Sequence, residues 1–324
     1  MIVVFGSINM DLNIGVGKFP QPGETVLSLD YKTTPGGKGG NQALAAARTG
    51  EKTALVGRVG DDGMGLRILN NLRRNEVMTS GVSTSEILPT GLAFVMRDRN
   101  GENEIVVASG ANAEVSAEQV PDEILKAGNV VLMQMEIPVA ENIALMERAK
   151  EFGATVILNV APALKLPKSA LSYVDYLIVN QIEARQMAES YGFNLDSDKD
   201  ADRIAETLAK FGKLTCILTR GPRGTIVVTQ DGRAWLVPAL ELEKVVDTTG
   251  AGDCFCGTLA AMIYKGTSLL EGIKRANVAA GLSCLKVGIQ EAYPYSAEID
   301  EYLPSLPEAK SIKFPSPGAG SMKP

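Results

Sequence analysis

Apolar residues along this chain recur with two different periods, and the alternation between them predicts an α/β protein. Short apolar runs bounded by polar residues read as buried strands over 2–5, 53–59, 130–135, 155–158, 176–179 and 216–219. Between them apolar positions return at helical spacing over 65–75, 139–152 and 269–285, and the alanine-rich stretch 43–48 is a strong helix former. From Val130 onward the rhythm is β-α-β, the signature of strands packed under helices. Two stretches break this rhythm. Residues 12–33 alternate short β-like pieces with Pro20, Pro22 and Gly23, and residues 91–97 and 104–108 read as strands around Asp98-Arg99-Asn100-Gly101, whose Asn-Gly is a hairpin signal. These insertions, spanning 12–33 and 90–109, would pair as a small β lid that excludes water. Residues 225–229 and the strand around Trp235 form another hairpin, closed at Asp231-Gly232.

A chain of 324 residues can bury a large core, either as one α/β domain with an insertion or as two smaller domains. No internal repeat or linker divides it, so a single domain over 1–303 is expected. Beyond Pro304, prolines and glycines without apolar periodicity predict a mobile tail over 304–324. With 45% hydrophobic and 22% charged residues and a net charge of −6, the composition is that of a soluble globular protein without a bias toward polyanions. Nucleic acid is therefore not an expected partner. The first residues are too short and uncharged for a signal peptide, and no apolar run is long enough to span a bilayer, so the cytoplasm is the expected location. The four cysteines, Cys216, Cys254, Cys256 and Cys284, form no C-x-x-C pair and read as reduced core thiols. Histidine is absent altogether, which removes Ser-His-Asp chemistry, H-E-x-x-H zinc sites and imidazole as a base. A carboxylate is the natural replacement, and phosphoryl transfer to a hydroxyl commonly uses an Asp.

The polar residues gather where strands end. Gly6-Ser7-Ile8-Asn9-Met10-Asp11 follows the first strand, at the carboxyl end where open α/β sheets place ligands. Asn9 and Asp11, two apart, would point to one side of an extended segment, or else form an Asx turn. Gly36-Gly37-Lys38-Gly39-Gly40-Asn41-Gln42 leads into the alanine helix and matches neither the P-loop nor the G-x-G-x-x-G spacing. Four glycines around one Lys and one Asn suggest backbone closing on a small polar ligand, the alternative being a plain loop. Glu136 ends another strand. Asn180 ends a further one and opens a helix, where it would serve as N-cap with Glu183 completing a capping box.

The most informative stretch is Asp247-Thr248-Thr249-Gly250-Ala251-Gly252-Asp253, which runs directly into an apolar segment at helical spacing. Amides at a helix start have no internal acceptor, and glycines let backbone approach a ligand, so these N–H groups can converge on a phosphate. An isolated Asp at that position would serve only the helix dipole. Asp247 at the head of the turn and the glycines beside Asp253 fit a positioned base beside an anion hole better.

Taken together, Gly36-Gly37-Lys38-Gly39-Gly40-Asn41-Gln42-Ala43 and the stretch 247–253 resemble the two signatures of the ribokinase-like (PfkB) carbohydrate kinases, in the same order and over about the first 300 residues. Within that family, Pro22-Gly23-Glu24-Thr25, Gly110-Ala111-Asn112, Met133-Gln134-Met135-Glu136 and Asn159-Val160-Ala161-Pro162-Ala163 are most similar to the ribokinase branch. The resemblance implies a three-layer α/β/α sandwich with a small β-sheet lid and ATP-dependent phosphorylation of D-ribose at its 5-hydroxyl. Asp253 would be the general base, with Gly250, Ala251 and Gly252 as the anion hole. Asn9, Asp11, Gly37, Lys38, Asn41 and Glu136 would hold the sugar together with Asp253. The resemblance further implies Asn180 and Glu183 at the phosphates and Mg²⁺, Thr219, Gly221, Gly224 and Gly252 along the nucleotide, and Asn277 near the adenosine. It also implies K⁺ beside the anion hole, with Asp247, Thr249 and Gly288 as ligands. A homodimer through the lids is expected because pairing would cover their exposed sheet edges. Gln290-Glu291-Ala292-Tyr293 stands where the family often has a Ser after the glycine, which leaves one cation ligand without a counterpart. Val160 and Gln181 depart from the usual Pro and Glu. Other readings on the same residues are a kinase for 2-deoxyribose, fructose or a nucleoside, and a non-catalytic sugar-binding regulator.

Overall fold

Every residue of the first strand, Ile2–Phe5, is buried, because the strand runs through the middle of a sheet covered on both faces. Its side chains alternate, Val3 and Phe5 into one apolar cluster and Ile2 and Val4 into the other. The computed structural model describes residues 1–28, 30–99, 102–193, 195 and 200–314. Its strands are β1 (Ile2–Phe5), β2 (Asn9–Gly15), β3 (Tyr31–Gly36), β4 (Thr53–Gly60), β5 (Met78–Ser85), β6 (Gly91–Arg97), β7 (Asn103–Ala108), β8 (Val130–Met133), β9 (Thr155–Asn159), β10 (Tyr176–Asn180), β11 (Thr215–Thr219), β12 (Thr225–Val228), β13 (Ala234–Val237) and β14 (Lys310–Ile312). Its helices are α1 (Lys38–Arg48), α2 (Gly63–Arg74), α3 (Val139–Phe152), α4 (Gln181–Ser190), α5 (Ala201–Gly212), α6 (Ala251–Tyr264), α7 (Leu269–Ser283) and α8 (Ser296–Tyr302).

The large sheet has the order β14-β13-β12-β11-β10-β9-β8-β1-β4-β5, parallel from β5 to β11 and antiparallel from there to β14. Helices α3, α4 and α5 cover one face, and α1, α2, α6, α7 and α8 the other, so the expected three layers are present. The direction of winding reverses between β1 and β8: α1 follows β1 on one face and α3 follows β8 on the opposite one. That reversal opens a crevice at the carboxyl ends of the parallel strands. The second sheet has the order β3-β2-β6-β7, with β2 antiparallel to β3 and parallel to β6, so the two β insertions do pair.

Several elements differ from expectation. Helix α1 begins at Lys38, ahead of the alanine run, because the amide of Gly40 donates to the carbonyl of Ser7 (3.0 Å) and pins the first turn on the β1–β2 connection. Strand β5 and helices α5 and α8 are additional to the expected elements; β5 reads Met-Thr-Ser-Gly-Val-Ser-Thr-Ser, with almost no apolar signal at the sheet edge. Within the stretch expected to be a mobile tail, residues 304–314 carry structure. Leu306 is buried, Ile312 and Phe314 pack on the core, and Lys310–Ile312 pairs with β13. Scattered apolar residues among prolines find a sheet edge that the local pattern does not reveal. Residues 315–324 and the Asn100-Gly101 turn lie outside the described residues. The four cysteines are all buried and free.

Candidate active site

Helix α6 starts where the large sheet ends. Gly250 is its N-cap with φ +77°, and a Cβ there would lie 2.4 Å from Ile289 Cγ2 and 2.8 Å from the Tyr293 hydroxyl. Only glycine fits such a turn without strain. The Tyr293 hydroxyl donates to the Gly250 carbonyl (3.0 Å), holding the turn from behind. The amides of Gly250, Gly252 and Asp253 have no protein acceptor among the described residues, whereas that of Ala251 donates to the Thr248 carbonyl (3.2 Å). The free donors and the helix dipole together favour an anion in front of this turn.

Asp253 sits in the first turn of α6, 7% exposed. Both of its carboxylate oxygens are held, Oδ2 by Asn41 Nδ2 (3.0 Å) and Oδ1 by Gln42 Nε2 (2.9 Å). These donors come from α1, which lies against α6 within the same apolar layer. The glycine-rich entry to α1 and the Asp253 turn, more than 200 residues apart in the chain, are thus one site.

Beside them lie the residues expected to hold the sugar. Asn9 opens β2, and its Oδ1 accepts from Asn112 Nδ2 (2.7 Å). Glu136 Oε2 accepts from the Ser7 hydroxyl (2.6 Å) and the Lys38 amide (3.2 Å), a carboxylate at the start of α1. Gly37 is the N-cap of that helix. Asp11 is buried, and no donor to its carboxylate is present among the described residues. Burial, with Glu136 and Asp253 nearby, pushes its carboxyl up to about 7, and Lys38 opposes this only in part. The Lys38 ammonium is in turn held above its usual range, chiefly by Asp253, against the effect of burial and with help from Glu136 and Glu183.

A cleft of 130 Å³ adjoins this group, lined by Lys38, Asn180, Glu183, Thr219, Gly252 and Asp253 among others. Asn180 caps α4: its Oδ1 accepts from the Glu183 amide (2.9 Å), and Glu183 Oε2 accepts from the Asn180 amide (2.8 Å). Burial pushes the Glu183 carboxyl up despite that hydrogen bond and Lys38. Gly221, Gly224 and Asn277 do not line this cleft. Asn277 is buried, accepts from the Thr225 hydroxyl (2.8 Å) and donates to the carbonyls of Val237 (3.3 Å) and Pro238 (2.9 Å), so its side chain fastens the chain after β13.

Asp247, Thr249 and Gly288 converge at the head of the turn. The amide and hydroxyl of Thr249 donate to Asp247 Oδ1 (3.0 and 2.7 Å), and Arg97 Nη2 approaches the same oxygen at 3.5 Å from the end of β6. Burial raises the Asp247 carboxyl, but the bonds from Thr249, the charge of Arg97 and the Gly288 amide outweigh it and hold it below the usual range. An ionised carboxylate at this loop is a donor that suits a cation.

Sequence reasoning missed Gln42, Asn159, Gln290 and Tyr293. Gln42, a polar residue entering an alanine run, and Asn159, a polar strand end like Asn180 that lines the cleft and accepts from Gln42 Nε2 (3.1 Å), carried a local signal; for Gln290 and Tyr293 nothing local pointed to their contacts. Comparison with known proteins gives the family. Residues 1–295 match the pfkB family of carbohydrate kinases. The chain is 35% identical over 305 residues to the ribokinase of Bacillus subtilis, covering 93% of this chain and 99% of that protein. The crystal structure of a Thermotoga maritima ribokinase superposes with a TM-score of 0.85 at 31% identity, covering 94% of this chain and 99% of that one. An Arabidopsis thaliana ribokinase complexed with ribose and ATP gives 0.85 at 30% identity, covering 93% and 98%. By the match over residues 1–295 and the identity to ribokinases along nearly its whole length, this chain belongs to the pfkB family of carbohydrate kinases.

Proposed function

We infer that this chain transfers the γ-phosphoryl group of ATP to the 5-hydroxyl of D-ribose, giving ribose 5-phosphate and ADP. The observation that carries this reading is the buried Asp253 carboxylate beside open helix-start amides, at the mouth of a cleft on a ribokinase fold. The ligands of the Arabidopsis relative, ribose and ATP, are the two substrates such a site requires.

In this reading Asp253 takes the proton from the sugar hydroxyl as its oxygen attacks the γ-phosphorus and ADP departs. The amides of Gly250 and Gly252 meet the charge that develops on the transferring group, and Ala251 would share its amide between Thr248 and that charge. Asn9, Asp11, Gly37, Lys38, Asn41 and Glu136 hold the sugar hydroxyls, because carboxylates accept strong bonds from a diol. Asn180, Glu183 and Thr219 face the phosphates, and Gly221, Gly224 and Asn277 shape the nucleotide's far end. Mg²⁺ would arrive with the nucleotide: among the described residues no cluster of three His, Cys, Asp or Glu side chains is assembled to hold it alone. Bound there, it would neutralise phosphate charge, with Glu183 serving it through water. A K⁺ ion would sit with Asp247, Thr249 and Gly288 and help order the turn.

The enzyme is proposed to work in the cytoplasm as one domain whose lid meets that of a second copy; among the described residues no helix is long and apolar enough to cross a membrane. The test is ADP release from Mg-ATP with D-ribose, 2-deoxyribose, fructose or adenosine as acceptor, with and without K⁺. D-ribose is expected to be the best acceptor, and Asp253→Ala to lower kcat by about 10²- to 10⁴-fold while ribose still binds. Full turnover in that variant would remove Asp253 as the base.

A further inference from the structure

Two chains of amides, buried except at Asn71, end on Asp253. In the first, Asn71 Nδ2 donates to Gln290 Oε1 (2.6 Å), Gln290 Nε2 to Asn41 Oδ1 (2.9 Å), and Asn41 Nδ2 to Asp253 Oδ2 (3.0 Å). In the second, Gln134 Nε2 donates to Gln42 Oε1 (2.8 Å) and Gln42 Nε2 to Asp253 Oδ1 (2.9 Å). Every amide in both chains donates toward the carboxylate. A primary amide has its acceptor oxygen on one side and its donor nitrogen on the other, so a donor received on the oxygen turns the nitrogen away from it. Gln134 on its oxygen and Asn159 Oδ1, which accepts from the same Gln42 Nε2 (3.1 Å), together fix which end of Gln42 faces Asp253, and Asn71 does the same for Asn41 through Gln290.

A reversed amide would aim an oxygen at a carboxylate oxygen in a region that water does not reach. Gln42 and Gln134 are fully buried, Gln290 is 2% exposed and Asn41 4%. In such surroundings a misdirected amide costs the full desolvation of the groups left unpaired. Each carboxylate oxygen offers about two acceptor directions. With one direction on each oxygen occupied, the rotation of the carboxylate is set, and one direction on each oxygen remains, either of which can take the proton of the acceptor hydroxyl.

We propose that Gln42, Gln290 and Asn71 are positioning residues for phosphoryl transfer, which through these two polarised chains lock the carboxylate of Asp253 in the orientation that receives the proton. This rests on Asp253 being the base. Asn71 reaches the reaction from α2 through two intervening amides.

The experiment compares kcat, KM for ribose, calorimetric ribose affinity and melting temperature for the full chain and for Gln42→Leu, Asn71→Ala, Gln290→Leu and Asp253→Ala. In Gln42→Leu, kcat is expected to fall about 10- to 100-fold while ribose affinity stays within about twofold, since a misplaced catalytic group costs rate more than binding. Asn71→Ala, at a partly exposed position that tolerates truncation, is expected to lose about 3- to 10-fold in kcat with the same constancy of binding. It decides the matter should the buried variants fail to fold. Unchanged kcat in folded Asn71→Ala and Gln42→Leu, with Asp253→Ala inactive, would overturn the positioning role alone. Retained turnover in Asp253→Ala would overturn the base assignment and this proposal together.

Discussion

Asp11 is buried between two other acids, Glu136 and Asp253, and the charge of Lys38 offsets only part of that cost. Its carboxyl titrates at about 7 in the folded chain, against 3.8 for an ordinary aspartate. Between these values the folded state keeps a proton that the unfolded state has released, so this residue makes stability fall as pH rises from about 4 to about 7. Sugar binding should run the other way. In the proposed sugar-binding role of Asp11 a ribose diol donates to the carboxylate, so the ionised form is the better acceptor and ribose is expected to bind more tightly as pH rises through about 7. The KM for ribose is therefore expected to rise several-fold, on the order of the loss of ionised Asp11, when the pH drops from about 8 to about 6. Asp11→Asn should flatten that dependence, measured as KM across the pH series. A slope that survives in Asp11→Asn would assign the titration to a different group.

At the level of elements, the site depends on how closely α1 lies against α6. Asn41 and Gln42 ride on α1 and Asp253 on α6, so the spacing of these helices sets the three hydrogen-bonded groups. Gly257 permits the approach: a Cβ there would stand 2.3 Å from the Gln42 carbonyl oxygen, with backbone on one side and Ala45 on the other. Neither neighbour is a flexible side-chain end that can swing away. Gly257→Ala is expected to destabilise the protein by about 1–3 kcal/mol through overpacking and to lower kcat as well, because the helices separate where Gln42 meets Asp253. Denaturant unfolding together with turnover checks this. A stable variant of normal activity would show that the two helices adjust without moving the site.

For the whole molecule, the small sheet is the part least explained by one chain. Its outer strand β7 is exposed along its entire length, with Ile105 56%, Val106 62% and Val107 45% exposed. An apolar edge strand with unpaired backbone is a place for another chain, and a second copy of this lid is the self-complementary choice. At the opposite end of the neighbouring strand β6, Arg97 reaches Asp247, so the sheet is also tied to the loop ahead of the anion hole. For the proposed lid-to-lid dimer, Val106→Asp is expected to shift sedimentation toward the monomer, by charging an apolar contact. An unchanged sedimentation coefficient would count against lid-to-lid association.

The amino-acid sequence by itself determined the central strands, because strands covered on both faces need continuous apolar runs, and it determined the two glycine-rich helix starts, because few other residues allow such turns. It marked Asp253, Asn41, Lys38 and Asn180 for the same reason: polar residues at strand ends and helix starts stand out locally. It did not show β5, whose Ser-, Thr- and Gly-rich run carries no apolar signal, or β14, whose short segment becomes a strand only by pairing with β13. Nor did it show that Asn277 spends its amide on the chain after β13, or that Tyr293 supports Gly250. Apolar periodicity and backbone preference act over a few neighbouring residues and can be read in order. Hydrogen-bond direction inside the core depends on groups such as Gln290 and Asn41, 249 residues apart, and only the packing of α1, α6 and the chain after α7 brings them together.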